Sequence, residues 1–220
     1  MVSLEGWNPA FTASLCKKSG QRAKILEFLK AADLDIHDVE VESEKMSAKH
    51  LPDDMPEELK SKLLEDMKET EIYDIKIVHR TAQGNAVRFD FDEESGGTQK
   101  FFALAGPFQD TLKHGYVLFI DELHDNFHPQ MVKFLVNLFH SNKTNPNNAQ
   151  MVFTTHETAI LNQEVFRRDQ IWFCEKDERQ ATVLYPLTDF SPRKGRENLE
   201  AGYLSGRYGA LPYLRVVNTR

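Results

Sequence analysis

Apolar and polar positions recur along this chain in two rhythms, and the switches between them outline its elements. From Gln21 to Ala32, Ile25, Leu26, Phe28 and Leu29 fall at helical spacing among Arg22, Lys24, Glu27 and Lys30, which predicts an amphipathic helix. Asp35 to Glu42 alternates through Val39 and Val41, with Ile36 out of step, and reads as a strand with one wet face. Ser43 to Pro56 is polar, contains Pro52 and Pro56, and predicts a loop. Helical spacing returns from Glu57 to Lys68 through Leu59, Leu63, Leu64 and Met67. Ile72 to His79 and Asn85 to Asp92 are strand-like, joined by Arg80-Thr81-Ala82-Gln83-Gly84. The second is the clearer, because Val87, Phe89 and Phe91 alternate with Arg88, Asp90 and Asp92. A short antiparallel sheet interrupted by a helical excursion is the simplest arrangement of these pieces.

The second half changes character. Ser95 is placed as an N-cap, and Phe101, Leu104, Ala105, Phe108 and Leu112 then share one helical face, ended by His114-Gly115. Pro107 inside that pattern removes a backbone bond and predicts a kink. Tyr116-Val117-Leu118-Phe119-Ile120 is an unbroken apolar run, the profile of a central parallel strand buried on both faces. A loop from Leu123 to Phe127 leads to Pro129 at a first helical position. Met131, Phe134, Leu135, Leu138 and Phe139 follow on one face. After the polar loop Ser141 to Asn148 comes a further buried strand, Met151-Val152-Phe153, ending in Thr154-Thr155-His156. Strand, helix, strand predicts a parallel pair whose ends share one sheet edge, bringing His156 beside Asp121 and Glu122. Gln170 to Cys174 and Ala181 to Tyr185 predict a hairpin across Lys176-Asp177-Glu178-Arg179.

Composition narrows the class. The chain has 220 residues, 40% hydrophobic and 28% charged, enough for one sizeable domain with a small appended lobe. No run has the length of a membrane span, no signal peptide is visible at the N-terminus, and the two cysteines form no framework, so a cytoplasmic protein is expected. The net charge of -7 argues against gripping nucleic acid by bulk electrostatics. The tail beyond Asp189 leaves that partner open, since Arg193, Lys194, Arg196 and Arg207 interleave with Tyr203, Tyr208 and Tyr213. A tail folding over a sheet fits the same residues. Arg167 and Arg168 suit either a phosphate or the acids around them. The histidines are too scattered to suggest a metal cluster.

Three stretches carry candidate chemistry. Asp121 and Glu122 leave an apolar strand at its C-terminal end, where ligands bind in open α/β sheets. A Mg²⁺–nucleotide gives two such acids work, the first holding the metal and the second orienting or deprotonating water. A solvated strand end fits the same pair. Ser95-Gly96-Gly97 puts two glycines in a first helical turn, each costing about 1 kcal/mol against alanine. Bare N–H groups and a free serine hydroxyl there would suit a phosphate, and the triplet is also what a flexible turn looks like. His156 fits either a γ-phosphate contact or a cap on the helix expected from Glu157 to Leu161.

In order and rough spacing, these stretches resemble the signature motif, Walker B, D-loop and switch histidine of ABC-type ATPases. The chain from about Phe28 is similar to prokaryotic AAA-family ATPases of the abortive-infection, RloA-like group, relatives of overcoming-lysogenization nucleases and chromosome-maintenance ATPases. Phe28-Leu29-Lys30-Ala31-Ala32-Asp33-Leu34 resembles their middle segment, and Glu94-Ser95-Gly96-Gly97-Thr98 their signature. Asp121-Glu122-Leu123 through His128-Pro129 resembles Walker B to D-loop. Arg168 to Phe173 and Gly206 to Ala210 resemble their C-terminal segments. Glu94 and Thr98 replace the leucine and glutamine of the transporter form LSGGQ, which points away from transport.

The resemblance implies a P-loop NTPase-like α/β fold: a C-terminal lobe with parallel core strands over residues 93–220, preceded by a small helical and antiparallel subdomain over 1–92. It implies ATP and Mg²⁺ as cofactors, Asp121 on the metal, Glu122 as catalytic base and His156 sensing the γ-phosphate. Ser95, Gly96, Gly97, Thr98 and His128 would lie on the nucleotide side, with the signature facing ATP held by a second subunit. Phage defence or a DNA or RNA transaction is the implied setting. No G-x-x-x-x-G-K-S/T phosphate loop occurs in the sequence; the nearest fragments, Lys17-Lys18-Ser19-Gly20 and Asn142-Lys143-Thr144, lack its glycines. The chain therefore resembles the C-terminal half of such an ATPase, with weak ATP affinity and little hydrolysis expected by itself. An uncovered edge and apolar surface then predict a homo-oligomer or a complex with a half bearing the phosphate loop. A nuclease partner is the other expectation, with this chain then an inactive interaction protein.

Overall fold

The computed structural model describes residues 2–3, 8–193, 195 and 197–212. The elements in order are β1 (Val2–Ser3), α1 (Ala10–Cys16), α2 (Ser19–Ala31), β2 (Asp38–Lys45), α3 (Glu57–Asp66), β3 (Glu71–Arg80) and β4 (Ala86–Asp90). After these come α4 (Gly96–His114), β5 (Val117–Asp121), α5 (Pro129–His140), β6 (Gln150–Phe153), β7 (Trp172–Lys176), β8 (Thr182–Pro186) and α6 (Leu199–Leu204). They gather into two compact units, residues 1–127 with 139–154, and residues 128–138 with 155–220. None of the described helices is long and apolar enough to cross a membrane.

The first unit holds two sheets. β2, β3 and β4 form the antiparallel sheet, with Val39 opposite Ile77 and Ile77 opposite Phe89. β2 runs on to Lys45, into the stretch expected as loop, because its ladder with β3 continues as far as Glu71. β5 lies between β1 and β6, parallel to both. It is central, as expected, but it is buried on one face only: Ile120 is 2% exposed, whereas Val117 and Phe119 are 49% and 52% exposed. Val152, register partner of Phe119, is 52% exposed on the same face. An unbroken apolar run cannot tell one covered face from two, and no layer of the described residues covers this one.

α4 is the packing axis of this unit. Phe101, Phe102, Leu104, Ala105 and Phe108 are buried along it, and Phe28 of α2 stacks on Phe101 at 5.0 Å. Ser95 caps its start by accepting the Thr98 N–H, and Gly115 ends it at φ +71°. The Asn147 side chain donates to the Lys113 carbonyl there. The helix runs on through Pro107. Proline has no N–H for the Ala103 carbonyl, and the buried Thr12 hydroxyl of α1 donates to that oxygen instead, at 3.0 Å. The same hydroxyl accepts from the Gly106 N–H. A Cβ on Gly106 would lie 2.7 Å from Thr12 Oγ1, so only glycine lets the two helices approach this closely. On α5, Val132, Leu135 and Val136 are the buried residues; Leu135 is inside as expected, whereas Met131, Phe134, Leu138 and Phe139 are half-buried, so the stripe is turned toward Val132 and Val136.

The second unit is built on the β7–β8 hairpin. Phe173 packs against Tyr203 and Tyr208 in stacked geometry at 5.6 and 5.5 Å, with Ile171, Leu187 and Leu199 around them. Tyr208 is fully buried, and its hydroxyl donates to Glu197 at 2.5 Å. Of the two readings open for this stretch, Tyr203 and Tyr208 follow the one in which the tail folds over a sheet: Tyr208 is a core ring and Tyr203 a half-buried one packed on it. Arg207 pairs with Glu197. Arg167 pairs with Asp169, and Arg168 donates to the Pro192 carbonyl. Lys194, Arg196 and Tyr213 lie outside the described residues.

Thr12→Val, which keeps shape but leaves the Ala103 carbonyl without its donor, is expected to cost about 1–3 kcal/mol. Thr12→Ser should retain most of the stability, both read by urea denaturation. Burial, ahead of their hydrogen-bonded acids, pushes the Tyr185 and Tyr208 phenols up to about 12. A raised folded value stabilises fully below the ordinary phenol value of about 10 and is lost as pH rises toward the folded one. Tyrosinate absorbance should therefore show two late-titrating rings, with the second unit losing near-ultraviolet ellipticity over that same window.

Candidate functional site

Asp121 is the last residue of β5, and Glu122 leaves the strand at φ +49°. A non-glycine residue in that region costs on the order of 1–3 kcal/mol, and such strain is found where structure over-determines the backbone. Thr154 does so here. It continues β6 beyond its last ladder pair, its N–H donating to the Ile120 carbonyl at 3.0 Å. Its hydroxyl donates to Asp121 Oδ1 at 2.5 Å and accepts from the Glu122 N–H at 2.9 Å. Its carbonyl accepts from the Leu123 N–H. One threonine therefore fixes one oxygen of the first acid and the backbone of the second, while the Glu122 side chain stays exposed. Sequence reasoning gave Thr154 no role; its place directly before Thr155-His156 was the available signal.

The Ser95–Thr98 turn lies at the start of α4. Ser95 and Gly96 are exposed, and a Cβ on Gly96 would meet nothing within 4 Å. The Ser95 hydroxyl is not free, as expected from sequence, but accepts from the Thr98 N–H at 3.1 Å and lies 2.8 Å from the Thr98 hydroxyl. A Cβ on Gly97 would lie 3.0 Å from the Asn126 carbonyl, so glycine lets the turn sit close against the loop that follows Glu122.

Lys100 joins the same two pieces. Its side chain is 7% exposed, and its Nζ donates to the Asp125 carboxylate at 2.5 Å and the Asp125 carbonyl at 3.0 Å. It also lies 5.8 Å from the centre of the Phe127 ring. A lysine withdrawn from water needs such partners. The Lys100 hydrogen bond holds the Asp125 carboxyl below the usual carboxylate range. Neither residue was singled out from sequence, because a lone lysine and a lone aspartate 25 positions apart carry no periodic signal.

His128 and His156 belong to the second unit and are both exposed. His128 Nδ1 accepts from the Gln130 N–H at the start of α5. His156 follows Thr154 by two residues in the chain, on a segment that becomes a single turn of tight helix, Thr158–Ile160. A shallow, open groove of about 370 Å³ beside β3, lined in part by Tyr73, Lys76 and Asp90, contains none of these residues. Among the described residues no three His, Cys, Asp or Glu side chains converge on a common metal position. Mg²⁺ at nucleotide sites takes only one or two carboxylates, with phosphates and water completing its shell. A single Asp121 with one oxygen anchored by a hydroxyl suits that donor set.

Lys100→Met is expected to lower stability by about 1–2 kcal/mol, after discounting for the 40% exposure of Asp125. A depressed carboxyl stabilises above its unfolded value of about 3.9 and loses that contribution as pH falls through the folded value. The gap between parent and variant in urea midpoint should therefore close under acid conditions.

Residues 16–162, more than half of the chain, match the family described as AAA domain, putative AbiEii toxin, Type IV TA system. A comparison with curated proteins found no match. With β5 ending in Asp121-Glu122 at the edge of a parallel sheet, and Ser95 opening the long helix before it, the chain belongs to this AAA-domain family.

Proposed function

We propose that this chain supplies the signature, metal-binding and general-base elements of an ATPase head acting in phage defence or a related nucleic-acid transaction in the cytoplasm. The observation that carries the reading is the Thr154 hydroxyl, which joins Asp121 to the Glu122 backbone at the C-terminal edge of parallel strands. In the proposed reaction Glu122 takes a proton from water as its oxygen attacks the γ-phosphorus, the bond to the β-phosphate oxygen breaks, and ADP and phosphate leave. Asp121 would hold Mg²⁺, and the ion would supply positive charge against the phosphate oxygens. His156 contacts the γ-phosphate, and His128 lies on the nucleotide side. The Ser95–Thr98 turn faces a nucleotide held by a second subunit. In this reading residues 93–220 form the nucleotide lobe, and 1–92 the subdomain that leads into the signature.

The phosphate loop missing from this sequence would come from a separate half, and turnover by the chain alone is accordingly small. A second reading keeps the fold as an inactive binding module for a nuclease or a full-length ATPase. It is favoured by the half-exposed Val117, Phe119 and Val152 on one sheet face. Mixing the chain with a separately expressed half that bears a phosphate loop distinguishes the two. The first reading expects ATP hydrolysis to appear, and Glu122→Gln to reduce it on the order of 10²–10⁴-fold while nucleotide binding persists. Hydrolysis at parental rate in Glu122→Gln would refute the assigned base. No hydrolysis despite stable association of the halves would favour the binding module.

A further inference from the structure

The segment leading into α4 carries an acid largely withdrawn from water, and its partner sits on another element. Glu94 precedes the capping Ser95, and its side chain is only 11% exposed. His79, near the end of β3, places Nε2 2.6 Å from Glu94 Oε1. Its other ring nitrogen, Nδ1, lies 3.1 Å from the backbone carbonyl of Asp35. Both neighbours are acceptors, and a neutral imidazole has a single N–H to donate. With Glu94 ionised, only the imidazolium satisfies both. Phe89 of β4 closes one side of the ring edge-on at 5.4 Å. The remaining charged groups on the surrounding segments are Asp35 and His37 before β2, Arg80 next along β3, and Asp92 and Glu93 ahead of Glu94. On β4, Arg88 is taken by Glu40 and Asp90 by Lys76. The Glu94 main chain is held as well, its carbonyl accepting from Gln99 Nε2 at 2.8 Å.

We propose that His79 is a positioning residue for the Ser95–Gly96–Gly97 turn, acting through Glu94. Its imidazolium fixes the residue before the cap and cancels a negative charge beside a phosphate-facing turn. When the proton is lost, one of the two acceptors loses its donor and the Glu94 charge stands uncompensated next to Ser95. The turn then loosens and its affinity for phosphate falls, so phosphate binding weakens as pH rises through the His79 titration. This rests on the nucleotide reading of the turn given above.

The test is NMR on the full chain, following the His79 ring and the Gly96 and Gly97 amides between about pH 5 and 8. The two amides should shift with the midpoint of the ring, and the Thr98 amide, which donates to the Ser95 hydroxyl, should lose roughly tenfold in protection on the alkaline side beyond the ordinary base-catalysed acceleration. That step should vanish in His79→Gln, and in Glu94→Gln the amides should no longer follow the ring. Amides that ignore the His79 titration in the parent chain would overturn the proposal, whatever the variants do. ATP titrated into parent and Glu94→Gln, each mixed with a half that bears a phosphate loop, at both ends of the range provides the second arm. The parent mixture should lose more affinity on the alkaline side than the variant mixture; an equal loss overturns the charge argument. Parent and Glu94→Gln mixtures that bind ATP no more tightly than the phosphate-loop half alone at either end, with the amides still tracking the ring, overturn the nucleotide reading and leave the positioning of the turn supported.

Discussion

A cation kept out of water at Lys100 determines where two loops can go. The ammonium has a carboxylate, a carbonyl and an aromatic face as its surroundings, all from Asp125 and Phe127. Charge in a partly apolar setting is tolerated only with such compensation, so the start of α4 and the loop after β5 are fixed together or not at all. The small residue at Gly97 belongs to the same arrangement, since it lets the helix start come against Asn126. Thr154 then fixes the other end of that loop, through Asp121, Glu122 and Leu123. The candidate chemistry is therefore held from two directions, by the ion pair of a buried lysine with a half-exposed aspartate and by a bridging hydroxyl.

The three-stranded sheet has an unusual balance of faces. Parallel strands are ordinarily covered on both sides, yet Val117, Phe119 and Val152 stand about half exposed. By strand alternation Asp121 follows Phe119 on that same face, and Thr154 follows Val152. Apolar surface thus runs directly up to the Asp121–Thr154 hydrogen bond. Any layer laid on this face would abut the carboxylate, linking coverage of the sheet to the environment of the acid.

Much of the local structure was legible because it depends on near neighbours. Ser95 and Gly115 delimit α4 by capping chemistry, and the strict alternation of Val87 and Phe89 marks β4. The β7–β8 hairpin was visible from two apolar runs around a charged turn. What escaped depends on distant partners. The covered face of β5 is set by which layers meet it, and the buried stripe of α5 by its neighbours rather than by its own apolar count. Tyr203 and Tyr208 among their arginines fitted either a nucleic-acid face or a tail folded over a sheet, and only the hairpin, with Phe173 to stack on, decides for the second. Asp121 and Glu122 stood out as acids ending an apolar strand, whereas Thr154, Lys100 and Asp125 acquire meaning only once the elements meet.

The Thr12 hydroxyl has a bearing on where the folding unit begins. The family match opens at residue 16, but the oxygen that serves the proline gap in α4 lies upstream of it, as does the fully buried Ala13. A recombinant fragment trimmed to the matched stretch would keep the recognisable motifs while removing the hydroxyl that completes their main supporting helix. The recognisable stretch and the self-supporting unit are different lengths of chain, and α1 belongs to the second.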